Sequence, residues 1–191
     1  MKLLSILTVA AAVALPCAVA NAQATEGVYA GLHYLNLPSQ KGYSDESFIG
    51  WAIGYQINPY LGVEAFYNYL INNDSYSYYD RTYDVYARTD VDEMLYGADV
   101  TFQYPIYNAL YVKASAGAFG ATTKASTTYS GQYIPNSYSG RYVYEENYNS
   151  DVMFHGSAGI GYEFIPLAFA ELTYQRFDEY NGVQFQVKYL F

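Results

Sequence analysis

The sequence predicts an all-β fold, an eight-stranded antiparallel up-and-down β-barrel that crosses a membrane. Three features predict it: apolar and polar residues alternate in eight segments, the connections alternate between short and long, and the last segment reaches the carboxyl terminus. Alternation with a period of two is the pattern of a β-strand with one apolar and one polar face. A membrane barrel needs this pattern in every strand, because its outer surface meets lipid while its inner surface is polar.

The last segment shows the alternation most clearly. Its apolar side is Val183, Phe185, Val187, Tyr189 and Phe191, and its other side is Gln184, Gln186, Lys188 and Leu190. A soluble edge strand shares this alternation. The free aromatic residue at the end of the chain favours the membrane barrel.

Seven earlier segments repeat the pattern, each with one face of mainly apolar and aromatic residues. In chain order they are 28–34, 49–57, 63–69, 96–104, 110–118, 152–164 and a seventh that starts at Ala168 or Phe169 and runs to Gln175. An open sheet would leave unpaired amides in lipid, so we expect the first and last strands to pair and close a ring.

The connections predict the orientation of the barrel. Residues 58–60, 105–109 and 165–166 are tight turns that contain proline, whereas 36–47, 72–93 and 122–150 are long and polar and 176–181 is short. Bacterial barrels have short periplasmic turns and longer external loops. We therefore expect both termini in the periplasm and the long connections outside the cell.

The amino terminus predicts export. Met1 and Lys2 form a short positive region, residues 3–19 are apolar, and small residues allow cleavage after Ala22 or Ala24. This is the pattern of a signal peptide. The predicted organisation is a signal peptide at 1–24 and one barrel domain at 25–191.

Cysteine and charge exclude several classes of function. The single Cys17 lies in the leader and follows Pro16, where a lipoprotein signal needs a small residue, so we expect neither a lipid anchor nor a disulfide. The formal net charge of −9 argues against nucleic acid as a partner. Two histidines in no ligand spacing predict no metal, and no motif predicts a cofactor.

The strand register places charged residues inside the barrel. The predicted polar network of the lumen contains Glu64, Asp99, Glu163, Glu171, Lys113 and Lys188. Acids outnumber bases in this set, so some carboxylates must be hydrated, hydrogen-bonded or protonated, because an unpaired buried charge is costly. At eight strands the side chains just fill the interior, so no wide pore is expected.

One motif has catalytic character. His155-Gly156-Ser157 resembles the His-x-Ser of PagL-like lipid A deacylases, small eight-stranded barrels in which His and Ser act with a Glu, for which Glu163 and Glu171 are available here. The motif departs from that pattern at Ala158, and its predicted register points inward rather than to the lipid-facing rim. We therefore expect no enzyme and keep His155, Ser157 and Glu171 as the esterase alternative.

A family resemblance spans the mature chain. The run GYQINPYLGVE at 54–64 resembles a turn of the OmpA-like and OmpX/Ail-like small outer-membrane barrels, and residues 103–106 and 170–175 resemble their later segments. The resemblance implies location in the cell outer membrane among lipid and lipopolysaccharide. It also implies that the barrel-assembly machinery recognises Tyr189 and Phe191. Thr101 and Glu171 replace an inward Lys and Arg, so the resemblance does not carry over a gating ion pair.

The long connections are the expected seat of function. They are rich in tyrosine, and because truly disordered segments contain few aromatics, these connections either form loops or extend the hairpins beyond the membrane. Tyrosine is favoured in binding surfaces, but it also populates the aromatic girdles of membrane barrels. We expect a non-enzymatic surface protein that serves adhesion to a host or cell-surface ligand, partner binding or envelope integrity. A narrow channel and the esterase are the alternatives.

Overall fold

A computed structural model describes residues 26–38, 45–72, 74–80, 85–131, 141–177 and 180–191. In these residues no helix is long and apolar enough to span a membrane. The predicted signal peptide lies outside them, as do the middle of the 36–47 connection and residues 178–179. The strands are β1 Gly27–Leu37, β2 Glu46–Gln56, β3 Leu61–Leu70, β4 Asp74–Asp80, β5 Val85–Tyr107, β6 Leu110–Gly131, β7 Arg141–Asn149, β8 Met153–Ile165, β9 Ala168–Phe177 and β10 Tyr180–Leu190.

Eight of these strands form a closed ring, which confirms the predicted barrel. Its order is β1-β2-β3-β5-β6-β8-β9-β10, all neighbours are antiparallel, and β10 pairs with β1 through a register that includes Tyr29 opposite Leu190. The pairing of β5 with β6 completes the ring on the other side. Closure gives every strand two neighbours, so that no ring strand presents a free edge to lipid.

Two of the connections predicted as long and polar contain regular strands. β4 pairs with the beginning of β5, and β7 pairs with the end of β6, so that a four-stranded sheet of order β4-β5-β6-β7 rises above the ring. β5 and β6 have 23 and 22 residues, about twice the length of most ring strands. The interpretation that these segments extend the hairpins is therefore correct. Serine, threonine and tyrosine alternate in them without an apolar lipid face, which is why the membrane pattern does not reveal them.

Several boundaries differ from the predictions. The strand predicted from Val152 begins at Met153, and the one predicted from Val183 begins at Tyr180. The last strand ends at Leu190, but the amide of Phe191 still donates a 2.8 Å hydrogen bond to the carbonyl of Val28. The predicted turn at 105–109 is shorter because β5 runs to Tyr107 and β6 begins at Leu110.

Aromatic side chains mark both ends of the lipid-facing surface. Tyr60 and Tyr104 stack with ring centroids 6.2 Å apart beside the turn between β2 and β3. Trp51 and Tyr67 stack at 6.0 Å nearer the other end, where Tyr69 is also exposed. Rings in these positions are typical of the two membrane interfaces.

Candidate functional sites: the sealed lumen and the external sheet

All six residues of the predicted lumen network have buried side chains, with relative exposures from 1% to 7%. They come from six different strands, and each occupies an inward register position. Five of them make charged contacts with one another or with a histidine, whereas Glu163 lies apart. They are Glu64 on β3, Asp99 on β5, Lys113 on β6, Glu163 on β8, Glu171 on β9 and Lys188 on β10.

Glu171 is the centre of the network. Lys113 Nζ lies 2.7 Å from its Oε2, and Lys188 Nζ lies 2.5 Å from its Oε1. The hydroxyl of Tyr111 donates a 2.5 Å hydrogen bond to the same Oε1. One buried carboxylate is thus compensated by two ammonium groups.

Glu64 completes the charge balance. Its Oε1 lies 3.8 Å from Lys113 Nζ, and its Oε2 accepts a 3.1 Å hydrogen bond from the side-chain amide of Gln186. Two carboxylates and two ammonium groups therefore make a neutral buried cluster, as burial requires. Tyr111 and Gln186 were not predicted as members of the network, although both occupy inward register positions.

A second polar cluster lies on the side of the lumen formed by β5, β6 and β8. Ser115 donates a 3.0 Å hydrogen bond to Asp99 Oδ2 and shares a 2.8 Å hydrogen bond with the hydroxyl of Ser157. His155 Nε2 is 2.6 Å from Asp99 Oδ1, although the two groups are not aligned for a hydrogen bond. Asp99 thus lies beside a histidine rather than a lysine.

This arrangement is not a hydrolytic triad. A triad places the histidine between nucleophile and acid, but here Asp99 lies between Ser115 and His155. His155 is buried and stacks on Phe177 with ring centroids 5.1 Å apart, while Glu171 is bound to two lysines. The inward position that the sequence predicts for the motif is the one observed, and it is opposite to the lipid-facing rim that the esterase alternative requires.

Apolar side chains pack on both sides of the charged layer in the lumen. At the external end, inward-facing residues of six ring strands pack together, and Phe66 and Met153 contact them. At the periplasmic end a smaller cluster surrounds the termini and turns, and its rings lie against Lys188, with Tyr29 at 4.8 Å from Nζ. The external cluster was not predicted, because a polar interior was expected along the whole lumen. It consists of Leu35, Leu37, Phe48, Leu70, Leu95, Phe119, Ala121 and Phe177, and the periplasmic one of Tyr29, Tyr111, Phe169 and Leu190.

The remaining predicted residues lie at the periplasmic end. Glu163 Oε1 accepts a 3.1 Å hydrogen bond from the backbone amide of Leu167, so this acid stabilises a turn. Tyr189 and Phe191 are exposed on the outside with ring centroids 5.2 Å apart. Their role as an assembly signal stays a prediction.

The external sheet has two distinct faces. Odd-numbered residues of β5 and β6 point into the lumen within the ring, and the same side continues above it; we call this side the inner face and the opposite side the outer face. The register aligns the inner-face residues in rows across the four strands. One row is Tyr76-Thr89-Thr127-Tyr144, and the Thr89 and Thr127 hydroxyls share a 2.9 Å hydrogen bond.

Glu93 lies at the base of the inner face, above the ring of exposed aromatics that includes Tyr69 and Tyr96. Burial, together with the smaller effect of the nearby Glu46 carboxylate, raises the pKa of Glu93 to about 7. The described residues contain no group of three or more His, Cys, Asp or Glu that could hold a metal ion.

Comparison with known proteins identifies the family of the chain. A model of the outer membrane protein beta-barrel domain matches residues 6–191. The chain belongs to this family. Its members are barrels of the outer membrane, and that is the location of this protein.

Solved structures of this barrel type are similar to the chain. Neisserial surface protein A (NspA) is 16% identical with a TM-score of 0.52, and the match covers 87% of this chain and 97% of that one. Ail of Yersinia pestis is 13% identical with a TM-score of 0.47, covering 87% and 97%. The N-terminal barrel domain of Pseudomonas aeruginosa OprF is 16% identical with a TM-score of 0.47, covering 87% and 100%. The search of curated proteins gives no match.

Proposed function

We propose that the protein is a non-enzymatic surface protein whose barrel is a closed anchor and whose external sheet binds a partner outside the cell. The observation that carries this proposal is the external sheet itself. Its four strands hold exposed rings well above the membrane, with Tyr76, Tyr78 and Tyr148 each more than half exposed. Rigid amphipathic rings give a large contact area at low entropic cost, which is why binding surfaces favour them.

The lumen supports the anchoring role rather than transport. The charges of Glu64, Lys113, Glu171 and Lys188 are paired with one another, and apolar clusters lie on both sides of them. A solute would have to displace these side chains and expose buried charge to pass. The same pairing commits Glu171 to the lysines, which argues against the esterase alternative.

Both ends of the chain support a proposal for how the protein reaches the outer membrane. We propose that residues 1–24 are a signal peptide and that the barrel-assembly machinery recognises Tyr189 and Phe191, which face outward on the last strand and just after it. Outer-membrane lipid and lipopolysaccharide would surround the exposed apolar side chains of the ring.

The test removes the external sheet and leaves the ring. Residues 72–93 and 122–150 are each replaced by a short turn, since β3 ends at Leu70, β8 begins at Met153 and the pairing of β5 with β6 continues below both cuts. We expect this trimmed variant to keep heat-modifiable gel mobility and to lose binding to host matrix or to a partner cell. If intact and trimmed strains bind alike at equal surface amounts, the sheet is not the binding surface and a role in envelope integrity is the better account.

A further inference from the structure

The inner face of the external sheet forms a trough with tyrosine walls. Its floor consists of small or β-branched residues on the two central strands, and its walls stand on the two edge strands. Ala87 marks the distal end of the trough, because it is fully buried and its register partners Tyr78 and Tyr129 are long enough to cover it. The floor is Thr89, Val91, Ala125 and Thr127, and the walls are Tyr76 and Tyr78 on β4 and Tyr144, Glu146 and Tyr148 on β7.

The dimensions of the trough suit one extended polypeptide segment. β4 and β7 are three strand spacings apart, which is about 14 Å. Along the strands, the inner face from Thr89 to Glu93 covers four residue steps, or about 13 Å. An extended segment of about four residues has this length, and its side chains can reach both walls.

The charges of the sheet are separated between its faces. The basic side chains described on the sheet lie on the outer face, each beside an acid: Arg88 with Asp90 at 3.0 Å and Lys124 with Glu145 at 3.3 Å. These bases are compensated within the protein, and they are directed away from the trough.

The trough itself is acidic. Among its described side chains are the carboxylates of Glu93 and Glu146, and none of these side chains is a lysine, arginine or histidine. Glu146 accepts a hydrogen bond from the Tyr148 hydroxyl, which raises the pKa of Tyr148. This contact holds a carboxylate beside an exposed aromatic ring. Such a pair attracts a cation twice, through the charge and through the face of the ring.

We propose that this trough binds an extended basic polypeptide segment, with arginine side chains stacked on Tyr144 and Tyr148 and paired with Glu146. The proposal rests on the proposed function of the external sheet and names the chemistry of the partner. Arginine suits the site better than lysine because its planar guanidinium group can stack on a ring and bind a carboxylate at once. A sulfated polysaccharide is disfavoured, because it would meet carboxylates that no base among the described side chains of this face offsets.

The test measures binding of the labelled hexapeptide acetyl-(Arg-Gly)₃-amide to the full barrel refolded in zwitterionic micelles. For Tyr144→Ser combined with Tyr148→Ser, we expect about tenfold weaker binding from the loss of two cation–π contacts. Glu146→Gln should weaken binding about two- to fivefold. Phenylalanine at both tyrosine positions keeps the rings and should retain most of the affinity, which separates a binding role from a role in folding the sheet.

The outer face supplies matched controls. Tyr79→Ser and Glu145→Gln remove the same groups from the other side of the sheet, so they should change binding less than twofold. Equal weakening by inner-face and outer-face variants would overturn the proposal, because it would mean attraction by net charge alone. Tighter binding of heparin than of the hexapeptide would also overturn it.

The test of the trough and the test of the proposed function have distinguishable outcomes. If the trimmed variant loses binding to cells while the inner-face variants bind the hexapeptide as tightly as the parent protein, the trough assignment is wrong and the proposed function stands. If the trimmed variant keeps its binding to cells, the proposed function fails whatever the hexapeptide does.

Discussion

Replacement of Lys113 by methionine tests whether the buried charges form one network. Methionine keeps the length and apolar stem of the side chain but removes the ammonium group that lies 2.7 Å from Glu171 and 3.8 Å from Glu64. Glu171 would keep Lys188, whereas Glu64 would keep the hydrogen bond from Gln186 but no ammonium partner among the described residues. The variant therefore leaves a buried carboxylate without its positive partner.

The expected loss follows from this uncompensated charge. Breaking a buried ion pair from one side costs about 3–5 kcal/mol, so we expect a loss of this order in the free energy of unfolding. The matched control is Lys124→Met in the external sheet, where the pair with Glu145 is 42% and 55% exposed. An exposed pair contributes less than about 1 kcal/mol.

Urea unfolding of the refolded barrel provides the assay, with fluorescence of the single Trp51 as the signal. The loss in Lys113→Met should be smaller at pH 4 than at pH 8, because a carboxylate that takes up a proton no longer buries a charge. Adding Glu64→Gln to the variant should recover part of the lost stability. If Lys113→Met and Lys124→Met unfold alike at both pH values, Lys113 does not compensate the acids and the network account is wrong.

Three further changes test other parts of the structure. Gly54→Ala should destabilise the barrel by about 1–3 kcal/mol, because the added Cβ would lie 2.2 Å from Cζ of Tyr29. Gly156→Ala is the control and should be almost neutral, because the atom nearest to its added Cβ is 3.4 Å away. Equal urea midpoints for the two variants would contradict this packing. Glu93→Gln should stabilise the protein at pH 8. The pKa of Glu93 is about 7 in the folded protein against an ordinary 4.5, so the contribution of its carboxyl group to stability is complete below pH 4.5 and is lost as the pH rises through 7. The loss amounts to at most about 3 kcal/mol. If the melting temperatures of the parent and the variant change alike from pH 4 to 8, Glu93 is solvated. Deletion of Phe191 should lower outer-membrane yield more than deletion of an external loop residue, mainly by slowing insertion, and equal yields would remove its role in assembly.

The ring could be predicted from the sequence because lipid imposes one rule on every strand. Residues such as Val187 and Tyr189 must alternate with polar ones wherever a strand has lipid on one side and a polar lumen on the other. The same register placed Lys113 and Glu171 inside. Their direct contact joins residues far apart in the chain and depends on the stagger of the strands, which a single sequence does not reveal.

Two parts of the structure could not be predicted from this rule. The external sheet has no lipid face, so the alternation of Ser75, Tyr76 and Ser77 carried no membrane signal and could equally be a loop. The external apolar cluster also escaped, because Leu35 and Phe48 point inward near the ends of strands where a polar lumen was assumed. Both features depend on what lies opposite a residue rather than on its neighbours in the chain.

We propose that binding resides in the external sheet and that the lumen serves only to anchor it. The most direct measurement is the amount of host matrix or partner cells bound by bacteria that display equal amounts of the intact protein, the trimmed variant and Lys113→Met. We expect the trimmed variant to lose binding, whereas Lys113→Met should bind like the intact protein wherever it reaches the surface. Full binding by the trimmed variant, or loss of binding by correctly inserted Lys113→Met, would contradict it.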